Sequence, residues 1–205
     1  MIDSLFRLLP MARRTGAVAR LGLRRGEYAL VTLHRPAVVE NSQRFASVLE
    51  VLGRLGERLP VVMPLHPRTR SRLEDHHWPP PKWLRIGDPL EYLGFLDVEA
   101  SARLVITDSG GVQEETSALG VPCVTYRTTT ERPVTITHGT NRLAGLDPVR
   151  LERACEEILA APGPRPAAEL PHWDGHAGPR AAHAIVEAMR DWAKADGGVR
   201  RSRNR

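Results

Sequence analysis

The sequence is poor in several residue types, and each shortage excludes a class of protein. Cys123 and Cys155 are its two cysteines, which are too few for a disulfide-stabilised scaffold and suit a reducing compartment such as the cytoplasm. Aromatic residues make up 5% of the chain, so a core must consist mainly of Leu, Val and Ala. No apolar run approaches the roughly 20 residues of a membrane-spanning helix. The composition therefore predicts a cytoplasmic globular protein with no membrane segment.

Lysine is nearly absent, although the chain is basic. Lys82 and Lys194 are the only lysines among 29 basic residues, and the formal net charge is +5. Four arginines crowd the last six positions, which is compatible either with a nucleic-acid-binding patch or with a solvated terminus. No aromatic residue interleaves with these arginines, as stacking on bases would require. We therefore predict no nucleic-acid partner and a disordered basic tail over residues 196–205.

Short apolar runs alternate with helical patterns along most of the chain. The runs are brief and rich in Val, Ile and Leu, as buried strands are, and they lie at Tyr28–Leu33, Pro60–Pro64, Trp83–Ile86, Arg103–Thr107, Cys123–Tyr126 and, as a sixth, Arg142–Ala144. Helical patterns occupy residues 2–20, 45–59 with Asn41 as the N-cap, 67–75, 91–100, 112–119, 148–159 and about 180–192. Such alternation implies parallel strands with right-handed crossovers. The predicted fold class is α/β, a doubly wound, Rossmann-like parallel sheet of about six strands.

The chain also divides by composition into a central domain and terminal extensions. The predicted parts are an N-terminal helical segment (1–25), an α/β domain (26–161), a Pro-rich linker (162–179), a C-terminal helix (180–195) and the basic tail (196–205).

The segment Thr107-Asp108-Ser109-Gly110-Gly111 joins the fourth predicted strand to a helix. Ligands of parallel sheets collect beyond the carboxyl ends of the strands. Two adjacent glycines allow the backbone to approach a ligand closely, and the N-terminus of the following helix favours an anion. Glu115 stands about one helical turn further on, where a carboxylate can accept hydrogen bonds from ribose hydroxyls. The spacing alone fits a phosphate cradle and also a tight turn whose Asp or Ser merely caps the helix.

Other loops bring basic groups to the same predicted edge of the sheet. His34 and Arg35 follow the first strand, His66 follows the second, and Arg132 follows the fifth. One histidine after a strand is usually structural, but the convergence of these groups on one edge favours a binding site for an anionic ligand. Adjacent His76 and His77 do not share a helix face, and no carboxylate or cysteine completes a ligand set. We predict no metal and no cofactor.

Several motifs at this edge resemble one known family. They are Thr-Leu-His-Arg-Pro (32–36), Pro-Leu-His-Pro-Arg-Thr (64–69), Pro-Leu-Glu-Tyr-Leu-Gly-Phe (89–95), Thr-Asp-Ser-Gly-Gly-Val-Gln-Glu-Glu (107–115), Thr-Glu-Arg-Pro-Val-Thr (130–135) and Gly-Thr-Asn (139–141). In this order they resemble the non-hydrolysing UDP-N-acetylglucosamine 2-epimerases. The resemblance implies the C-terminal domain of a glycosyltransferase-B-type fold. Two departures from the family pattern are Ala37-Val38, where the family has Glu-Asn, and Trp173–Ala177, in place of a Gly-Asp-Gly-Lys-Ala-like stretch.

The resemblance also implies site residues for a bound UDP-sugar. It assigns His34 to the diphosphate, together with Arg35 at the same loop. Leu90 and Phe95 would lie at the base, and Arg132 at the phosphate or the sugar. The phosphates would be cradled by Ser109, Gly110 and Gly111, and the ribose would be held by Glu115.

The family reaction inverts C2 of the sugar by eliminating UDP to a glycal and adding it back. Residues 1–5 resemble the segment that follows the family's first domain, so the resemblance places the acid–base carboxylates on an N-terminal half outside this chain. Glu131 is the single, weak catalytic candidate within it. The implied partners are a separately encoded N-terminal half and, for the full-length family, further copies in a homo-oligomer.

Three functional hypotheses follow from these motifs. The first is a 2-epimerase that interconverts UDP-GlcNAc and UDP-ManNAc and depends on the other half for catalysis. The second is a UDP-binding remnant without catalysis. The third is the donor-binding domain of a glycosyltransferase, against which the Thr-Glu-Arg-Pro and Gly-Thr-Asn motifs argue. A nucleic-acid-binding role rests on the arginine tail alone.

Overall fold

The computed structural model describes residues 1–75, 83–161 and 170–202, and these contain one six-stranded sheet. The strands are β1 (Ala29–Thr32), β2 (Val61–Pro64), β3 (Leu84–Gly87), β4 (Leu104–Thr107), β5 (Cys123–Thr125) and β6 (Asn141–Leu143). Their order across the sheet is β3-β2-β1-β4-β5-β6, and all neighbours are parallel. This order confirms the predicted doubly wound α/β fold and places its reversal between β1 and β4.

Helices flank the sheet and complete the element order. They are α1 (Ile2–Arg14), α2 (Ala17–Arg20), α3 (Pro36–Val39), α4 (Ser42–Gly56), α5 (Pro67–Asp75), α6 (Tyr92–Glu99), α7 (Gly110–Leu119), α8 (Val134–Thr137), α9 (Pro148–Ala160) and α10 (Ala177–Ser202). None of the helices in the described ranges has the length and apolar character needed to cross a membrane.

The predicted strands and inner helices are confirmed to within three residues at their boundaries. Asn41 caps α4 as expected, because its side chain accepts a hydrogen bond from the backbone N–H of Arg44 at 2.8 Å. That helix ends at Gly56, so Leu59 packs against the core from beyond it. The short helices α3 and α8 were not predicted. In α3, Val38 is buried at a position where the resemblance led us to expect a polar residue.

The chain termini differ from the predictions. The pattern over residues 2–20 is two helices, because Gly16 has a left-handed φ of 63° between α1 and α2. Helix α10 begins at Ala177 rather than Arg180 and continues to Ser202, into the stretch for which the sequence predicted a disordered tail. Extending an existing helix requires no new nucleus, which explains this continuation. His76-His77, residues 162–169 of the predicted linker and residues 203–205 lie outside the described residues.

The sheet is covered by a hydrophobic cluster on each face, because successive strand side chains point in opposite directions. Ala29 and Val31 of β1 belong to the cluster formed with α4 and α9, whereas Leu30 belongs to the cluster formed with α2 and α6. In β4, Ile106 joins the first cluster and Val105 the second. Burial on both faces is typical of parallel strands and holds the carboxyl ends of β1 and β4 in fixed register.

The N-terminal segment packs onto the α6 side of the domain. Leu5 and Ala12 of α1 form a buried cluster with Leu96 of α6 and Ala118 of α7. The backbone N–H of Val18 in α2 donates to the fully buried Asp97 of α6 at 3.2 Å. The segment predicted as a separate part therefore supports the two helices that carry candidate site residues.

A buried amide network fixes α7 against β6 and against the loop after β5. Asn141 donates from Nδ2 to the carbonyl of Gln113 at 2.9 Å and to Ser117 Oγ at 2.8 Å. The Gln113 side chain donates to the carbonyl of Ser109 at 3.0 Å and accepts from Thr130 Oγ1 at 2.6 Å. One network thus joins the start of α7 to the loop that contains Arg132.

We predict that Gly139→Ala destabilises the protein by about 1–3 kcal/mol, as overpacking of a tight contact does. A Cβ at this glycine would lie 2.4 Å from the carbonyl oxygen of Thr135 and 2.5 Å from Ser117 Oγ. Denaturant unfolding measures the change. Gly87→Ala is the matched control, since its Cβ would have no neighbour within 4 Å; equal stability of the two variants would contradict the prediction.

Candidate functional site

The candidate site lies where the strand order reverses, between the carboxyl ends of β1 and β4. Open α/β sheets bind ligands in this crevice. Thr32 and Thr107 end the two strands in register, with their Oγ1 atoms 2.6 Å apart. The loop after β1 carries His34 and Arg35, and the loop after β4 leads through Asp108 into α7. Four predicted site residues therefore lie at this one point of the fold. They are His34 and Arg35 on the loop after β1, and Ser109 and Gly110 where the loop after β4 enters α7.

Asp108 joins these two loops. Its side chain is fully buried, and Oδ2 accepts hydrogen bonds from the backbone N–H groups of His34 at 3.0 Å and Arg35 at 2.8 Å. Arg35 Nε also donates to the Asp108 carbonyl at 2.8 Å. The imidazole Nδ1 of His34 lies 2.9 Å from Oδ1. Asp108 thereby orients the histidine for which the sequence predicted a contact with phosphate.

The alternative in which Asp108 or Ser109 merely caps α7 is wrong. Ser109 is the N-cap residue, but its side chain makes no capping hydrogen bond, and Asp108 is bonded to the other loop. The first N–H groups of a helix have no partner within the helix and attract an anion together with the helix dipole. The start of α7 therefore leaves backbone N–H groups without a capping side chain, beside the half-buried hydroxyl of Ser109.

Arg132 lies directly over the start of α7. A Cβ on Gly110 would be 2.5 Å from the nearest guanidinium nitrogen, so a side chain at this position would displace the arginine from its place over the helix start. The guanidinium Nε lies 2.9 Å from Oε1 of Glu114, in the next turn of the helix. A cation and the helix N-terminus thus act at one place, which strengthens binding of an anion with several oxygens such as a diphosphate.

His66, which follows β2, also reaches this edge. Its ring centroid is 5.4 Å from that of His34. The predicted convergence of His34, His66 and Arg132 on one edge of the sheet therefore corresponds to the observed arrangement. Among the described residues, no group of three or more side chains could hold a metal ion.

Glu131 is neutralised by a neighbouring arginine rather than poised for proton transfer. Its carboxylate accepts hydrogen bonds from Arg127, with distances of 2.8 Å and 2.5 Å. The Arg127 guanidinium holds the pKa of Glu131 down to about 2. A general base acts best with a pKa near the working pH, so these contacts favour a structural role for Glu131 and a buried, paired position for Arg127.

Glu115 lies on the α6 side of the site, apart from the loops described above. Its side chain is only 6% exposed, and Tyr92 donates its hydroxyl to Oε1 at 2.8 Å. Burial raises the pKa of Glu115. Tyr92 was not singled out from the sequence, although it belongs to the motif at 89–95. The sequence signal for Tyr92 was its position between two apolar site candidates, Leu90 and Phe95.

Leu90 and Phe95 are both half-buried and pack against the hydrophobic cluster on the α6 face of the sheet. That cluster includes Val112 in the first turns of α7. The structure therefore brings together the residues predicted for phosphate binding, whereas Leu90 lies just before α6 and Phe95 lies on α6 with Tyr92.

Comparisons with known proteins agree with this arrangement. A family model described as UDP-N-acetylglucosamine 2-epimerase matches residues 1–186. The UDP-N-acetylglucosamine 2-epimerase of Methanocaldococcus jannaschii is 40% identical over 139 residues, which are 65% of this chain and 38% of that protein. The crystal structure of the enzyme from the same organism in complex with UDP-GlcNAc and UDP superposes with a TM-score of 0.76 at 31% identity. The superposition covers 91% of this chain and 52% of that one, so the chain spans about half the length of such relatives or less.

A more distant structure shares the fold alone. The ADP-heptose lipopolysaccharide heptosyltransferase II of Escherichia coli superposes with a TM-score of 0.52 at 13% identity, over 72% of this chain and 51% of that one. The fold is thus of the glycosyltransferase-B type, as predicted. Because the family model extends over residues 1–186, nearly the whole chain, this protein belongs to the UDP-N-acetylglucosamine 2-epimerase family.

Proposed function

We propose that this chain binds the uridine diphosphate end of UDP-N-acetylglucosamine and forms the nucleotide-binding half of a non-hydrolysing 2-epimerase. The observation that carries this proposal is the position of the Arg132 guanidinium over Gly110, the first residue of α7. This helix begins where the strand order of the sheet reverses. A cation, unpaired backbone N–H groups and an imidazole held by Asp108 at 2.9 Å form a site for a diphosphate.

The proposed roles follow the order of the groups along the crevice. His34, Arg132 and the backbone from Ser109 to Gly111 bind the phosphates. Glu115 accepts hydrogen bonds from the ribose hydroxyls, and Leu90 and Phe95 of the α6 side contact the base. Arg35, whose Nε donates to the Asp108 carbonyl, supports the phosphate loop from beside His34.

The proposed reaction requires UDP to stay bound through two steps. A base removes the proton from C2 while the C1–O bond to UDP breaks and leaves a glycal. UDP then adds back to C1 as a proton returns to the opposite face of C2. Holding UDP between these steps is the task of this half, and the carboxylates that move the C2 proton belong to the part of the longer relatives that this chain does not match.

A second candidate function is UDP binding without catalysis. It is favoured by the ion pair of Glu131 with Arg127, which leaves this loop carboxylate ionised and occupied. The proposal also includes two finer points: a cytoplasmic location, which suits the two cysteines, and a homo-oligomer of the complete enzyme.

We predict that Ser109→Asp weakens UDP binding at least about tenfold relative to Ser109→Asn. Both residues are good N-caps and have nearly the same shape, so α7 remains stable in each. Only the aspartate places a negative charge where the phosphate binds, and juxtaposed like charges cost several kcal/mol. Calorimetric UDP titration of the two variants measures the difference, and equal affinities would refute a phosphate site at this turn.

We predict that Arg132→Gln raises the Kd for UDP about 10- to 100-fold. A hydrogen bond to a charged group contributes about 1.5–3 kcal/mol, which corresponds to this range. Arg153→Gln is the control, since Arg153 is 79% exposed on α9 and pairs with Glu157. A Kd that is the same in both variants as in the wild type would remove Arg132 from the site.

We predict that the chain alone binds UDP but forms no UDP-ManNAc from UDP-GlcNAc. The product is followed by proton NMR, with and without a separately expressed N-terminal half. Recovery of epimerisation on adding that half supports the divided enzyme. Product formation by the chain alone at an enzyme-like rate contradicts the assignment of the C2 chemistry to the other half, and no recovery favours the binding-only function.

A further inference from the structure

Glu99 is a buried carboxyl group that has no role among those proposed above for the UDP site. It is the last residue of α6, and its side chain is fully buried. No hydrogen-bond donor of the described chain reaches either of its carboxylate oxygens. The C-terminal end of a helix dipole is negative and adds to the cost of a charge there. An ionised carboxylate in this position would be both desolvated and unpaired.

Glu99 lies seven residues after Tyr92 on α6 and so on the same face of that helix, the face from which Tyr92 donates to Glu115. The carboxyl group of Glu115 is accordingly the neighbour that acts on the Glu99 carboxyl. Ionised carboxylates are acceptors only, so two of them can form a hydrogen bond to each other only if one carries a proton. Glu99 is the more buried of the two, at 0% exposure against 6%. Burial, and then the adjacent Glu115 carboxylate, raise the pKa of Glu99 well above its usual range. The proton therefore belongs on Glu99.

We propose that Glu99 is a positioning residue: it stays protonated and donates a hydrogen bond to the Glu115 carboxylate, which it holds toward the ribose of the nucleotide. This role rests on the proposed UDP binding, whereas the shared proton does not. Tyr92 donates to Oε1 of Glu115 at 2.8 Å from the same helix. Two donors from α6 thus fix one acceptor on α7, and the remaining lone pairs of Glu115 accept the ribose hydroxyls.

The other groups that face the pair leave this arrangement intact. Tyr92 stays a neutral donor, because burial and its hydrogen bond to Glu115 raise its pKa. Glu114 of α7 and the amino group of Met1 act on Glu115 with opposite signs. On β5, burial raises the pKa of Cys123 to about 12, so the thiol near Glu99 is uncharged at neutral pH.

The pair has a pH signature of known sign. Because folding raises the pKa of Glu99, the bound proton contributes to the stability of the fold, and this contribution is fully present at a pH below the unfolded pKa. That contribution is lost as the pH rises through the raised folded value. Deprotonation of Glu99 also removes the donor and places a second negative charge beside Glu115, so affinity for UDP falls in the same direction.

The first test is a carboxyl NMR titration of the ¹³C-glutamate-labelled protein without nucleotide. The wild type is expected to have one glutamate whose midpoint lies above those of the others. Glu99→Gln removes this titration, and Glu91→Gln, at the exposed N-cap of the same helix, leaves it. In Glu115→Gln the amide can donate to Glu99, so the midpoint falls by roughly one pH unit or more. No raised midpoint, or an unchanged midpoint in Glu115→Gln, overturns the shared proton.

The second test is the Kd for UDP across the same pH range. Glu99→Gln keeps an N–H donor, so its Kd at neutral pH stays within about threefold of the wild type and loses the rise at high pH. Glu99→Met fills the space without a donor, and its Kd is expected to rise about tenfold. Equal affinity and equal pH dependence of all three proteins overturn the positioning role. If the wild type does not bind UDP, the proposed function fails, and the NMR titration alone decides whether the proton is shared.

Discussion

A single buried carboxylate, Asp108, links the two loops that meet where the sheet reverses its strand order. A carboxylate removed from water is costly unless donors surround it, and here the donors are the backbone N–H groups of His34 and Arg35. Meeting that requirement fixes the first loop against the second. The direction of the His34 ring and the start of α7 then follow from one interaction, and Arg132 completes the site by covering Gly110.

The sheet could be predicted from the sequence because its signals are local. Brief runs rich in Val, Ile and Leu and the helical spacing between them specify a parallel sheet, and even the N-cap Asn41 was recognisable. The role of Asp108 could not be predicted this way. A residue one step before an N-cap serine is read as a capping residue, whereas its partners are more than 70 positions away in the chain. Periodicity gives the face of a strand but not the direction in which a loop side chain turns.

The same limit applies to the carboxylates. From the sequence, Glu131 was the one catalytic candidate because its loop reaches the correct edge of the sheet. Its state depends on Arg127, four residues earlier, which is buried and forms two hydrogen bonds with it. Glu99 could not be recognised from the sequence as a site residue, since a glutamate near the end of a helix is usually solvated. Its complete burial depends on how α6 packs in the fold, which the local sequence pattern does not specify.

The division of tasks between the two sides of the crevice follows from their dielectric environments. The loop side is partly open and offers fixed charge and backbone N–H groups, which suit a diphosphate that stays ionised throughout. On the α6 side Glu115 is buried, so its proposed role as an acceptor of hydroxyl groups requires donors already in place, from Tyr92 and from the proposed protonated Glu99. Such preorganisation favours tight retention of a leaving group, whereas proton transfer at C2 needs a group that changes its charge in each cycle. A site built to hold its charges constant is therefore suited to keeping UDP bound while other residues perform the chemistry.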